Sequence, residues 1–440
     1  MISKYTDYTG KNAIKIDSLI DKYMQIIIQE VKNKIDSDNL ISIVLIGGFA
    51  RREGSVLIMN NQLKLMNDFD IFIITKTPLK IDLKQLSLEC LKKCNINSNF
   101  SFKQSTGTMQ FYIDFRNLTL GELEKIPPFI KYFEIRNSAK TIYGKDVLDN
   151  IPDYKVSDIP LEEGLRHILN RASLLLEYSV PSYEKIGQQE KETAVFFIGK
   201  CYLSIAEALL LYSGEFISSY KKRAHILNKT LKEKFPDLLN TIPDLQEKIE
   251  FHTALKLRPS LENIDIKKLW FETRGDVINV LAYYLNLLYH VKMQVNDKSL
   301  FAKELEKILK KFLLKEYLAF YLKSKKLRIN KMFFPLLNKG AQFYLNFLFL
   351  KEFSKIHGKP HYRVLFSTID PAIKLYSALI PCLFAISPNN QINESLCLEA
   401  SKRIKRVFPV SIPGKNLFLF WKELCSDYTE AFRIYQFLKI

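Results

Sequence analysis

Apolar residues recur at near-helical spacing between residues 14 and 36, through Ile14, Ile16, Leu19, Ile20, Met24, Ile27, Ile28 and Val31, which predicts an amphipathic helix. The apolar run over residues 40–46 stops at Gly47-Gly48 and predicts a short buried strand. Residues 68–75 alternate, with Phe69, Ile71 and Ile73 on one side and Asp68 and Asp70 on the other, as a half-buried strand does. A further helix is predicted over 82–95, a strand over 109–115, and an inserted hairpin turning at Asn60-Asn61. A Pro- and Asp-bearing stretch from Asn150 to Pro160 reads as a linker. After it the period is helical almost throughout: 161–179, 188–213, 220–234, 270–296, 299–326, 333–356, 367–386, 394–408 and 416–438. The expected fold class is α+β, with a mixed-sheet domain at 1–150 and a large all-α region. That region is read as a helical domain at 161–330, forming a wall for acceptor and nucleotide, and a basic helical part at 331–440.

Composition changes this picture little. Of the residues, 47% are hydrophobic and 25% charged, which excludes a disordered or low-complexity chain. Six scattered cysteines, with Cys90 and Cys94 the nearest pair, complete no zinc motif and read as buried thiols in a reducing compartment. The N-terminus lacks the apolar core of a signal peptide. The uncharged run at 375–393 falls short of the ~20 apolar residues a span needs, so no transmembrane segment and a cytoplasmic location are expected.

Charge matters more. The net charge is +18, and it is uneven. Residues 1–150 hold 21 basic and 17 acidic residues, whereas 301–410 hold 20 and 7. Basic clusters stand at Lys323-Ser-Lys325-Lys326-Leu-Arg328 and Lys402-Arg403-Ile-Lys405-Arg406. A concentrated positive region attracts a polyanion, and RNA is the first expectation; a membrane surface or a solvated lysine face are the others.

The chemistry concentrates early. Val44-Leu-Ile-Gly47-Gly48-Phe-Ala-Arg51-Arg52-Glu-Gly54-Ser55 reads as strand, tight turn and helix start. Asp68 and Asp70, two apart on a strand, share one face. Two close carboxylates repel, and a divalent cation bridging them removes the conflict. Asp114, between Ile113 and Phe115, fits a strand facing the same cleft. Gly47-Gly48 lets a phosphate approach the backbone, and Arg51 and Arg52 add charge-assisted contacts. No Gly-Lys-Ser/Thr follows, so this is not a Walker loop.

A Gly-Gly turn, an Asp-x-Asp strand and a later single-Asp strand resemble the pattern of the DNA polymerase β-like nucleotidyltransferases. Gly47 to Ser55 looks like a Gly-Gly-Tyr-Gly-Arg-Gly-Glu variant of bacterial members, and Ile135 to Gly144 looks like the end of this domain in antibiotic- and toxin-type members. The resemblance implies an N-terminal nucleotidyltransferase domain with catalytic Asp68, Asp70 and Asp114. All three would be ligands of a two-metal Mg2+ or Mn2+ site, with Asp114 also on the base side. It further implies Gly47, Gly48, Arg51, Arg52 and Ser55 as the cradle of an NTP, ATP first. Two departures stand out: Gly48 replaces the Ser of many members, and the inserted hairpin lengthens the path to Asp68. A second, weaker resemblance, to RNA terminal nucleotidyltransferases, places Lys200, Ser219 and Tyr220 on the triphosphate. Glu53 reads as a capping carboxylate, His357 and His361 as loop residues without a third ligand, and Arg166-His167 as unlike a ribonuclease pair. The expected reaction moves an NMP from an NTP to an acceptor hydroxyl, on RNA or tRNA first. A protein or small-molecule acceptor, or a degenerate nucleotide- or RNA-binding module, is the alternative.

Overall fold

The computed structural model describes residues 8–10, 14–59, 62–96, 113–179, 181, 187–259, 264–311, 334–365, 369–411, 414 and 416–436. The Asn60-Asn61 turn, residues 109–112 of one predicted strand and the 323–328 basic cluster lie outside them.

The first half is a four-stranded mixed sheet. Helix α1 (Ile14–Lys34) leads to β1 (Leu40–Ile46), the one-turn α2 (Gly47–Ala50), a hairpin of β2 (Val56–Met59) and β3 (Gln62–Leu65), and β4 (Phe69–Thr75). Then come α3 (Leu83–Lys93), β5 (Ile113–Thr119), α4 (Leu120–Leu123), α5 (Ile130–Ser138) and β6 (Lys140–Gly144). The strand order is β5-β4-β1-β6, and only the β4–β5 pair is parallel. The alternation of β4 assigns its faces. Phe69, Ile71 and Ile73 pack under α1 and α3 with Ile20, Ile27, Leu86 and Leu91. Phe72 and Ile74 join Val44, Ile46, Leu123 and Ile135 on the opposite face, the one to which Asp70 belongs.

The second half is helical: α6 (Glu162–Glu177), α7 (Gln188–Ser213), α8 (Tyr220–Lys234), α9 (Pro236–Thr241), α10 (Leu245–Leu257), α11 (Ile266–Tyr289), α12 (Lys298–Lys311), α13 (Phe334–His357), α14 (Pro371–Phe384), α15 (Glu394–Ile404) and α16 (Leu417–Gln436). One buried apolar cluster extends from Leu165 to Ile434, so helices on both sides of position 330 share a core. Helix α10 and the sheet-side α5 and β6 are elements the periodicity did not predict. Their apolar residues are too few or too irregularly spaced to stand out. Residues 191–213 within α7 are long and apolar enough to cross a membrane, but 89% of their apolar window is buried inside the protein, where α7 packs against α6, α10 and α11. All six cysteines are free and buried.

The halves meet through charge as well as apolar contact. Arg223 of α8, with 1% of its side chain exposed, donates to Glu134 of α5 and to Glu207 of α7. Although burial opposes it, Arg223 and His167 hold the Glu207 carboxyl down at about 2. Arg51 donates to Glu134 at 3.1 Å and Glu53 at 3.4 Å, with its guanidinium 4.9 Å from the Tyr220 ring. Removing one member of such a buried network leaves its partners charged and dry. Arg223→Ala is therefore expected to cost about 3–5 kcal/mol, read as a lower thermal midpoint. An unchanged midpoint would remove this network from the account of how the halves dock.

Candidate active site

The site lies at one end of the sheet. Ile46, the last residue of β1, is paired with Asp70, and Asp70 is paired in parallel register with Asp114. Parallel neighbours stand roughly 4.8 Å apart and direct their side chains to the same face, so the two carboxylates are side by side. Gly47 follows with φ +74°, and a Cβ built there would lie 2.5 Å from Asp70 Oδ2. Glycine is thus required twice, by the left-handed backbone and by the carboxylate against it. Gly48 has its own reason: an added Cβ would lie 3.3 Å from the Glu53 carbonyl oxygen, so the Ser of the resembled pattern would crowd this turn. Arg52 is exposed at φ 64°.

Burial, reinforced by the Asp114 charge, raises the Asp70 carboxyl from 3.8 to about 6. Asp114 is held by Arg116, whose Nε donates to its Oδ2 at 3.2 Å. Asp68 stands just ahead of β4, where the Lys200 ammonium feels its charge. Among the described residues no three acidic, His or Cys side chains are gathered closely enough to hold a metal ion. Of the expected Asp68, Asp70 and Asp114, the last two are adjacent in register, and the Lys200 ammonium feels both Asp68 and Asp70. The donor chemistry still fits a hard divalent cation, because the pair offers only oxygens and Asp70 resists ionising beside Asp114.

Two ammonium groups face this pair. Lys200 of α7 lies 4.8 and 4.1 Å from the Phe196 and Phe197 rings. Burial and then Arg171 lower it to about 7, against the pull of Asp68 and Asp70. Lys131, in the first turn of α5, lies 5.0 Å from the Phe72 ring and 5.8 Å from that of Tyr132. Burial and then Arg116 lower it to about 8, against Asp114 and Asp70. The sequence reading singled out Lys200 and missed Lys131. The only signal for Lys131 is a lysine two residues after Pro127-Pro128-Phe129, where a helix begins.

The other expected phosphate contacts are placed elsewhere. Glu53 caps α8, accepting from Ser219 Oγ at 2.7 Å, Tyr220 N at 3.1 Å and Lys221 N at 3.2 Å. Ser55 is fully buried and donates to the Lys256 carbonyl. Lys256 of α10, also missed, donates to Ser55 Oγ at 2.6 Å, Asn67 Oδ1 at 2.7 Å and the Glu53 carbonyl at 3.4 Å. Arg51, Ser55, Ser219 and Tyr220 thus bind the phosphate-type turn to the helical half, while Gly47 lies against Asp70, Gly48 against the Glu53 carbonyl, and Lys200 feels Asp68 and Asp70. His357 stacks on Phe353 at 4.3 Å, with its Nε2 3.3 Å from Glu430.

No protein-family model matches the chain, and no curated protein matches it. Among solved structures it is similar to spectinomycin adenyltransferase AAD(9) from Enterococcus faecialis, determined with ATP and spectinomycin. The two are 15% identical with a TM-score of 0.34, over 59% of this chain and 98% of that one. At that identity and TM-score the likeness assigns no residue a role.

The raised Asp70 carboxyl has a stability consequence with a definite sign. A folded-state value of about 6 against 3.8 unfolded favours folding at low pH, and that contribution is lost as pH rises from about 4 to about 6. In chelator-treated protein, Asp70→Asn should therefore gain stability relative to wild type across that window and hold the gain above it. Unfolding titrations at fixed pH values check this, and a constant difference between the two proteins would contradict the raised value.

Proposed function

We propose that this protein is a metal-dependent nucleotidyltransferase that takes an NTP, ATP first, and moves its NMP to an acceptor hydroxyl. The observation that carries the reading is the Asp70–Asp114 pair in parallel register, set against the Gly47 backbone and flanked by Lys200 and Lys131. Carboxylates bring metal ions; a glycine turn and the Lys200 ammonium bring polyphosphate. That combination fits phosphoryl chemistry better than hydrolysis of a neutral substrate.

Asp70 and Asp114, with Asp68, would hold the divalent ions, which when bound offset the charge of the phosphates and lower the acidity barrier of the acceptor hydroxyl. Gly47 and Gly48 let the triphosphate approach the main chain. Lys200, half-buried against Phe196 and Phe197 near Asp68 and Asp70, supplies a positive charge on the donor side. The acceptor oxygen forms a bond to the α-phosphorus as the bond from that phosphorus to the bridging oxygen of pyrophosphate breaks. Pyrophosphate leaves with the bond pair, and the acceptor proton passes to Asp114 or to water.

An RNA hydroxyl is the acceptor placed first by the net charge of +18. Part of the late positive charge is paired inside the protein: Lys310, Lys374 and Arg403 all donate to Glu306, and Arg406 stands 4.0 Å from it. The support from charge is therefore narrower than the sequence count.

The test uses α-labelled NTPs with Mg2+ or Mn2+ and cell extract, wild type beside the Asp68→Ala/Asp70→Ala double variant. Loss of metal stabilisation worth several kcal/mol should lower labelling by more than about a hundredfold. Label removed by ribonuclease identifies RNA as acceptor, and label removed by protease identifies protein. Equal labelling by wild type and variant would end the catalytic reading and favour a nucleotide- or RNA-binding module.

A further inference from the structure

The cations around Asp114 have a use that donor binding does not account for. Arg116 is the register partner of Phe72, one step along the same sheet face from the Asp70–Asp114 pair. It touches Asp114 through Nε, while 56% of its side chain stays exposed, leaving the terminal nitrogens to solvent. Lys131 approaches from above the same Phe72 ring. Among the described residues its ammonium has aromatic faces for neighbours and no ion pair. It is nevertheless close enough to Arg116 for the two positive charges to oppose each other. Two mutually repelling cations are held together here by the fold.

The holding is specific. Glu163 of α6, fully buried, accepts from Ile130 N at 3.2 Å and so caps the helix turn that carries Lys131. Its other oxygen takes Arg166 Nε at 2.9 Å, and that guanidinium adds to the positive potential at Lys131. The acidic groups facing Lys131 and Arg116 are Asp70 and Asp114, with Glu163 behind. Once a divalent ion offsets the two aspartates, Lys131 and Arg116 are left with charge to spend on a substrate. A cationic acceptor would be repelled at this wall, and a neutral hydroxyl would need neither side chain. A guanidinium with free terminal nitrogens beside an ammonium suits a phosphate.

We infer that Lys131 and Arg116 form an acceptor subsite for a phosphate group, so that the hydroxyl receiving the nucleotidyl group belongs to a phosphate-bearing molecule. The inference rests on the nucleotidyl-transfer reading. Two sources share this chemistry: the 3′ end of a nucleic-acid strand, whose last phosphodiester adjoins its hydroxyl, and a small phosphorylated molecule such as a sugar phosphate.

The test measures binding with the full chain, Mn2+ and α,β-methylene-ATP. The acceptor probes are a fluorescent oligoribonucleotide with a free 3′ hydroxyl and glucose 6-phosphate in competition, with the analogue's own affinity measured separately. A Lys131→Gln/Arg116→Gln double variant is expected to weaken the phosphate-bearing probe by about tenfold or more while changing analogue affinity far less. Arg116→Lys, which keeps the charge, should recover part of the loss, and a merely structural role would give no such recovery. Oligonucleotide binding without sugar-phosphate competition supports the strand end, and competition supports the small molecule. If wild type binds the analogue but neither acceptor probe, or if the double variant binds them as wild type does, the subsite is overturned. If wild type does not bind the analogue, the transfer reading falls and takes the subsite with it.

Discussion

Arg223 is almost wholly withdrawn from water, yet it is bound on one side by Glu134 of the sheet half and on the other by Glu207 of the helical half. An arginine in that position must keep both partners, because an unpaired charge in a dry interior is far more costly than a lost surface contact. The consequence extends beyond docking. Glu134 also accepts from Arg51, Arg51 reaches Glu53, and Glu53 caps α8. One chain of ionic contacts thus sets the angle of α5, the shape of the turn after β1 and the position of α8 together. Lys256 completes the clamp by tying Glu53, Ser55 and Asn67 to α10. The turn beside Asp70 is thus tied directly to the helical half.

The carboxylates are set in the opposite electrostatic sense. Asp70 and Asp114 are register neighbours and resist being charged together. The fold supplies positive charge around them without cancelling it within hydrogen-bonding distance of Asp70: Lys200 on one side, Lys131 and Arg116 on the other. With Arg116 on Asp114, and Lys131 and Lys200 near the pair but outside any ion pair among the described residues, the site is arranged for a ligand that carries both signs of charge, as a metal–polyphosphate complex does.

Net charge proved a coarse guide to location. The late excess of basic residues is drawn in part onto Glu306, whose carboxyl, despite its burial, is held at about 2 chiefly by Lys310 and Lys374. The few cations beside Asp114 stand closer to the proposed reaction than any of these, and fields at close range in a partly dry cleft outweigh screened charge farther away.

What the amino-acid order determined by itself is the local frame. The strand over residues 40–46 ending in Gly47-Gly48, the alternation through Asp68 and Asp70, the inserted hairpin and the boundaries of α7 and α8 follow from period, turn chemistry and apolar runs, all properties of neighbouring residues. The aspartates and Lys200 were legible because a charge inside an apolar strand or helix is conspicuous. Lys131, Lys256, Glu134 and Arg223 carry no such mark. Their partners lie tens to hundreds of positions away, and only the packed chain brings Lys256 to Ser55 or Arg223 to Glu134. For the same reason Arg51, Ser55, Ser219 and Tyr220, residue types well suited to phosphate, are instead turned to the junction. Residue type sets what a side chain can bind; tertiary structure decides what it meets, because a hydrogen bond or ion pair depends on position in space and not on separation along the chain.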